Sequence, residues 1–226
     1  MSAHVLIPTT SNLPAPRPAP DRSGTPTPGR PNRERGSSPH EGERLRPLSR
    51  GQVEDRRQEL GDLYAEVSGG GPWAWNEARA DFLRHLASDA RRPGFSLLIA
   101  ETTVLTGCAY GFPLIGAGPW RADFGGHVRE GLLRRVAPGR LFVVSAIVVP
   151  PRVRRENQDR AWNLARRLQR RLLADDGAAL GVTLVEARND GIAETLRSWG
   201  WRSAGDGTLT AVPPGSCRVL VLTAGT

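Results

Sequence analysis

LFVVSAIVV, residues 141–149, is the stretch that decides the architecture. Only Ser145 interrupts a run of β-branched, aromatic and aliphatic side chains, with no polar alternation. A strand of that kind is covered on both faces, as central strands of layered α/β domains are. Pro150 and Pro151 follow it. Neither can donate to a ladder, so the strand stops there. The expectation is a single mixed α/β (α+β) domain, a central sheet flanked by helices.

Strand signals lie on both sides of this segment. Residues 95–101 and 104–114 are predicted as a hairpin turning at residues 101–103, and residues 182–186 and 218–223 as two further strands. Residues 160–174 predict an amphipathic helix with Ala161, Leu164, Ala165, Leu168 and Leu172 on its apolar stripe. Residues 190–199 predict a short helix closed by Gly200 in the C′ position. Upstream, Ser49 and Gln52 have the spacing of a capping box. Val53, Leu60, Tyr64 and Val67 then mark one helix face. Asn76 is expected to cap a second helix, with Ala78, Phe82, Leu83 and Leu86 on its inner side.

Residues 1–47 differ in kind. They hold runs such as LPAPRPAP at 13–20 and almost no large apolar residues between Leu13 and Leu45. Such a segment cannot offset its ordering entropy by burial. The expected division is a disordered Pro/Arg-rich leader over 1–47 and one folded domain over 48–226.

The chain has 226 residues, 38% apolar, with a net charge of +8. All its basic side chains other than histidine are arginine, as an actinobacterial, GC-rich coding bias would give. No apolar run reaches the roughly 18 residues of a membrane helix. The N-terminus lacks the pattern of a secretory signal, so a cytoplasmic location is expected. Cys108 and Cys217 fall in strand-like segments, and with four scattered histidines they give no metal-ligand spacing; no metal is expected.

The densest chemical signal follows the central strand. Arg152, Arg154, Arg155, Arg160, Arg166, Arg167, Arg170 and Arg171 face only Glu156 and Asp159 across that stretch. A helix N-terminus offers free N–H groups and a positive dipole end, and guanidinium forks match phosphate oxygens. The turn is expected to bind an anion, and the four arginines at 166–171 to form a solvated face.

Within that turn, RAWNLA at 160–165 resembles the phosphate-binding motif of the GCN5-related N-acetyltransferase (GNAT) family. The family pattern is Arg or Gln, two residues, Gly, one residue, then Gly or Ala. Asn163 stands at the first Gly, and a rival register places the loop at 152–157. NDGIAETLRSWGW at 189–201 resembles the second signature, an Asn followed eleven residues later by Gly and an aromatic residue. GFSLLIAE at 94–101 and GCAYGFP at 107–113 resemble the hairpin of actinobacterial members.

The resemblance implies an acyl-CoA N-acyltransferase fold, acetyl-CoA as acyl donor and an amine of a small molecule or protein as acceptor. It implies that Val148 and Val149 pair with the pantetheine arm. Arg154, Arg155, Arg160, Asn163, Leu164, Ala165 and Asn189 would hold the rest of the cofactor. Two features depart from the family. Ser145 and Ala146 stand where a general-base Glu is usual, and Leu196 where a Tyr acid is usual. Tyr110 is the candidate replacement donor, and Asp123 and His127 are candidates for the acceptor side. The alternatives are an acyl-CoA-binding sensor without turnover and, less favoured, a nucleic-acid-associated protein. A homodimer is compatible with the sequence; a membrane partner is not expected.

Overall fold

The computed structural model describes residues 43–68, 71–114, 140–150, 153, 163–204 and 217–224. Arg152, Arg154, Arg155, Arg160, Trp120, Asp123 and His127 lie outside them.

Ser49 begins the helical layer as its sequence predicts. Its hydroxyl accepts from the Gln52 amide while the Gln52 side chain accepts from the Ser49 amide, closing the capping box. The helix is split at Arg56 into α1 (Arg50–Asp55) and α2 (Arg57–Ser68). Arg56 is the reason the break is tolerated: its guanidinium bridges Glu59 and Glu101, the latter at 2.5 Å, tying the junction to the sheet. Helix α3 (Pro72–Asp89) starts five residues earlier than a cap at Asn76 predicts. Pro72 occupies N1 behind a Gly71 N-cap, where a missing N–H costs nothing. Tyr64 of α2 stacks on Phe82 of α3 at 4.7 Å.

The strands are β1 (Arg44–Leu48), β2 (Ser96–Glu101), β3 (Leu105–Pro113), β4 (Leu141–Val148), β5 (Leu180–Glu186), β6 (Arg202–Ser203) and β7 (Cys217–Thr223). Between β4 and β5 runs α4 (Leu164–Asp175), and between β5 and β6 runs α5 (Asp190–Ser198). The sheet order is β1-β2-β3-β4-β5-β7-β6, antiparallel throughout except for the β4–β5 pair. The expected mixed sheet between helices is what forms, and β4 is buried along its whole length.

Strand β1 was not legible, and four of its five residues, 44–47, fall within the segment expected to carry no structure. It pairs in full with β2, from Arg44↔Glu101 to Leu48↔Leu97. Pro47 is accommodated because β1 is an edge. Just before it, the Glu43 side chain is 1% exposed, paired with Arg167 at 2.7 Å and accepting from Thr106 at 2.8 Å. A buried ion pair and a ladder order these residues, where apolar content alone predicts none.

One face of the sheet carries α1–α3 over Leu97, Ile99, Cys108, Tyr110, Ala146 and Val148. The other carries α4 and α5 over Leu98, Ala109, Phe142, Val144 and Ile147. Gly107 lets α4 lie close: a Cβ there would meet the Val148 carbonyl at 3.1 Å and Leu164 and Leu168 at 3.2 Å. Gly200 closes α5 as predicted, at φ +103, with the Trp201 amide donating back to the Leu196 carbonyl.

Candidate functional site

The two parallel strands at the centre of the sheet part company. β4 pairs with β5 only from Leu141↔Leu180 to Val143↔Val182, although β4 continues to Val148 and β5 to Glu186. Each keeps its outer neighbour: β4 stays on β3 as far as Cys108↔Val148, and β5 stays on β7 from end to end. The facing edges are therefore free of ladder partners over five residues of β4, roughly 16 Å at the rise of a strand. Such a crevice, at the carboxyl ends of parallel strands, is where open α/β sheets take ligands.

Thr183 sits at the fork. Its buried hydroxyl donates to the Val144 carbonyl at 2.9 Å, replacing the first missing ladder bond with a side-chain bond. Thr183→Val keeps the shape and orphans that carbonyl. It is expected to cost about 1–3 kcal/mol, seen as a lower urea midpoint at unchanged m-value.

A bulge lies beside the fork. The β3–β4 register runs Tyr110↔Ala146 and then Gly111↔Val144, so Ser145 is the extra residue on β4. Bulges re-aim side chains next to active sites. The Ser145 hydroxyl is buried and makes no hydrogen bond of normal geometry. Asp89, the last residue of α3, stands near it. Burial pushes the Asp89 carboxyl above its ordinary value, opposed by the Ser145 hydroxyl and by Arg92, whose Nε lies 3.2 Å from the carboxylate. Arg92 also lies over the Phe112 ring at 4.4 Å. Tyr110 completes the group. It is 0% exposed, packed edge-on to Phe82, and its hydroxyl has no hydrogen-bond partner. Burial and then the Asp89 charge hold its proton well above the usual tyrosine range.

Sequence reasoning missed Asp89. The available signal was its position: a carboxylate in the last turn of a helix opposes the macrodipole. It reaches the very strand position where the sequence shows no carboxylate.

Two helix N-termini follow the parted strands. Asn163 caps α4, accepting from the Arg166 amide at 3.2 Å. The helix thus starts at Leu164, not at residue 160, because Asn163 takes the capping role. Leu164 and Ala165 supply the first two helical amides, which have no intrahelical partner. The Leu164 side chain and the Val148 carbonyl both border Gly107, so the start of α4 lies beside the end of β4. Val148 and Val149 are both buried there. Asn189 caps α5 without a side-chain cap bond, which leaves its amide group uncommitted to the helix.

The arginines of α4 face elsewhere. Arg166 donates to the Ser198 carbonyl, Arg167 pairs with Glu43, Arg171 pairs with Asp175, and Arg170 is exposed. Leu196 and Trp201 are core residues on the α4 side. Cys108 is fully buried, and burial pushes its thiol up to about 12. Among the described residues no group of three or more His, Cys, Asp or Glu could hold a metal, and no helix is long and apolar enough to cross a membrane.

The chain aligns with solved structures over most of its length. A protein assigned to the GNAT family of acetyltransferases, from Desulfovibrio desulfuricans, aligns over 81% of this chain and 99% of its own, at TM-score 0.51 and 12% identity. The fold is that of the GNAT acyl-CoA acyltransferases. A Salmonella typhimurium structure holding acetyl-CoA aligns over 81% of this chain and 95% of its own, at TM-score 0.39 and 17% identity. A spermidine N-acetyltransferase chimera built from Vibrio cholerae SpeG aligns over 81% and 96%, at TM-score 0.43 and 13% identity. The match does not support the actinobacterial type of the family that the hairpin resemblance implied. No family model and no curated protein matches the sequence.

Proposed function

We propose that the chain is an acetyl-CoA-dependent N-acetyltransferase acting on an amine of a small molecule or protein. The observation that carries this is the parting of β4 from β5 after Val143↔Val182, with helix N-termini beyond both free strand ends. An extended amide-bearing arm can take the ladder positions that β5 vacates along Val144–Val149. Diphosphate can take the amides of Leu164 and Ala165, with guanidinium groups from Arg154, Arg155 or Arg160. Asn189, with no cap bond to make, faces the same end of the sheet. Tyr110, which burial keeps protonated, is the donor for the departing thiol. The folded domain that does this follows a Pro/Arg-rich leader, and its place of work is the cytoplasm.

A thermal-shift titration with acetyl-CoA, CoA and ATP side by side tests the reading. Ligand at 100 times Kd adds about 2.7 kcal/mol. In a domain of this size that raises the melting temperature by about 5–10 °C. Acetyl-CoA and CoA are expected to give this shift and ATP little. No response to either thioester or thiol would sink it.

One observation favours a second reading, an acyl-CoA sensor without turnover: Leu196, at the family's Tyr position, is a fully buried core residue. Thiol release in the presence of amines separates the two.

A further inference from the structure

The established geometry leaves one cluster unexplained, and it lies on the α3 side of the fork. Asp89 is a largely buried carboxylate with 13% of its side chain exposed. Facing it are two buried hydroxyls: that of Tyr110, which has no partner, and that of Ser145, which acts on the carboxylate without a hydrogen bond of normal geometry. A buried hydroxyl without a well-formed hydrogen bond weakens the fold. A carboxylate raised by burial is a further cost to the fold. Three such groups meet at one bulge on the strand that lines the crevice, and together they define the chemistry of a guest. Its requirements are plain: a small group with several N–H donors and a positive charge for Asp89 to balance.

We infer that this is the acceptor site, and that Asp89 is the catalytic carboxylate, delivered from the end of α3 to the place where the central strand carries none. The inference rests on the acetyltransferase reading. The acceptor is a primary amine that arrives as an ammonium ion. Its three N–H bonds go to Asp89, Ser145 and Tyr110, which satisfies both orphaned hydroxyls. Asp89 takes one proton and becomes a neutral acid, which burial favours. The freed lone pair forms the C–N bond to the thioester carbonyl carbon, and the C–S bond breaks. The Tyr110 hydroxyl gives its proton to the departing sulfur, which leaves as thiol, and takes the nitrogen's second proton in its place. Asp89 then returns its proton to water, so an ammonium and a thioester give an amide, a thiol and one proton. Arg92, beside Asp89 and over Phe112, keeps the carboxylate ionised enough to accept at neutral pH.

The test uses the full chain, acetyl-CoA and two probe amines of matched shape. Ethylamine is protonated at neutral pH and needs a base; 2,2,2-trifluoroethylamine is already largely neutral and does not. Asp89→Asn is expected to lower kcat/KM for ethylamine about 100-fold or more, and for trifluoroethylamine less than about 5-fold. The acetyl-CoA-induced melting shift should be unchanged. The sign of the stability effect is also fixed. A carboxyl whose pKa is raised by folding weakens the fold as pH rises through its titration, so Asp89→Asn should not lower the melting temperature at neutral pH. Ser145→Ala removes the hydroxyl that holds the Asp89 pKa down, so the acidic limb of the pH–rate profile for ethylamine should move to higher pH.

Equal losses for the two amines, or a lowered melting temperature with no change in amine preference, would make Asp89 a mere helix anchor and overturn the proposal. So would a wild type that acetyl-CoA stabilises but that releases thiol with neither amine. A wild type that acetyl-CoA does not stabilise fails at the earlier step, in the cofactor reading itself.

Discussion

Gly111→Ala is expected to abolish the fold, with the protein recovered as aggregate or melting far below the wild type. Gly111 stands on β3 at the register shift, opposite Val144. A Cβ there would fall on the Val143 carbonyl oxygen and within 2.6 Å of the Phe142 ring. The oxygen is backbone and cannot rotate away, and Phe142 is fully buried with nowhere to go. Relief would need β3 and β4 to separate at the bulge, breaking the ladder that keeps the inner wall of the crevice in place. Overpacking with movable neighbours costs about 1–3 kcal/mol. Here the neighbour is main chain, and the expected loss is above about 4 kcal/mol, a large share of a domain's whole stability. Circular dichroism melts and soluble yield read it directly. A wild-type melting curve would mean that the β3–β4 register shift lies elsewhere.

The same bulge shows where sequence reasoning stops. The central strand was legible because nine nearly uniform apolar residues carry their own burial. The capping box at Ser49 and the left-handed Gly200 were legible because both are settled within a few residues. Ser145 was legible only as an interruption. That it is the extra residue of a bulge depends on Tyr110 and Gly111, more than thirty residues away. Strand β1 was hidden for a similar reason. RLRPL has little strand character, and what orders it is the β2 ladder and the Glu43–Arg167 pair, the latter a contact across 124 residues.

The candidate site divides along the same line. The helix start at Asp190 could be read from the sequence, whereas the start at Leu164 could not, because the apolar stripe reaches back to Ala161; the structure places both starts after the parted strands. The parting itself could not be read. It follows from β5 holding to β7 over its full length while β4 holds to β3, and no local pattern in either strand encodes it. Asp89 was invisible because a search for a carboxylate on the central strand looks along the chain. The structure supplies one through space, from a helix end.

Gln169→Leu carries the second large effect, and it tests how the crevice is held open. Gln169 is 1% exposed in the middle of α4, among leucines, where a polar residue is costly unless fully paired. It is paired at both ends: its Nε2 donates to the Trp199 carbonyl at 2.8 Å, and its Oε1 accepts from the Trp201 indole at 2.9 Å. These two bonds clamp α4 to the turn after α5, the two helices whose N-termini follow the parted strands. Leucine fills the same volume but leaves a buried carbonyl and a buried indole N–H unpaired. At about 1–3 kcal/mol for each orphan, the expected loss is about 2–6 kcal/mol. Trp201→Phe in the same chain removes one of the two orphans, so the double variant should recover part of the loss and sit above the sum of the singles. Strict additivity would show that Gln169 stabilises α4 by packing alone. The clamp also joins fold to function. If the helix N-termini hold the diphosphate, loosening their common anchor should weaken the acetyl-CoA melting shift at temperatures where Gln169→Leu is still folded. The Asp89 variants, which touch only the acceptor side, should leave it intact.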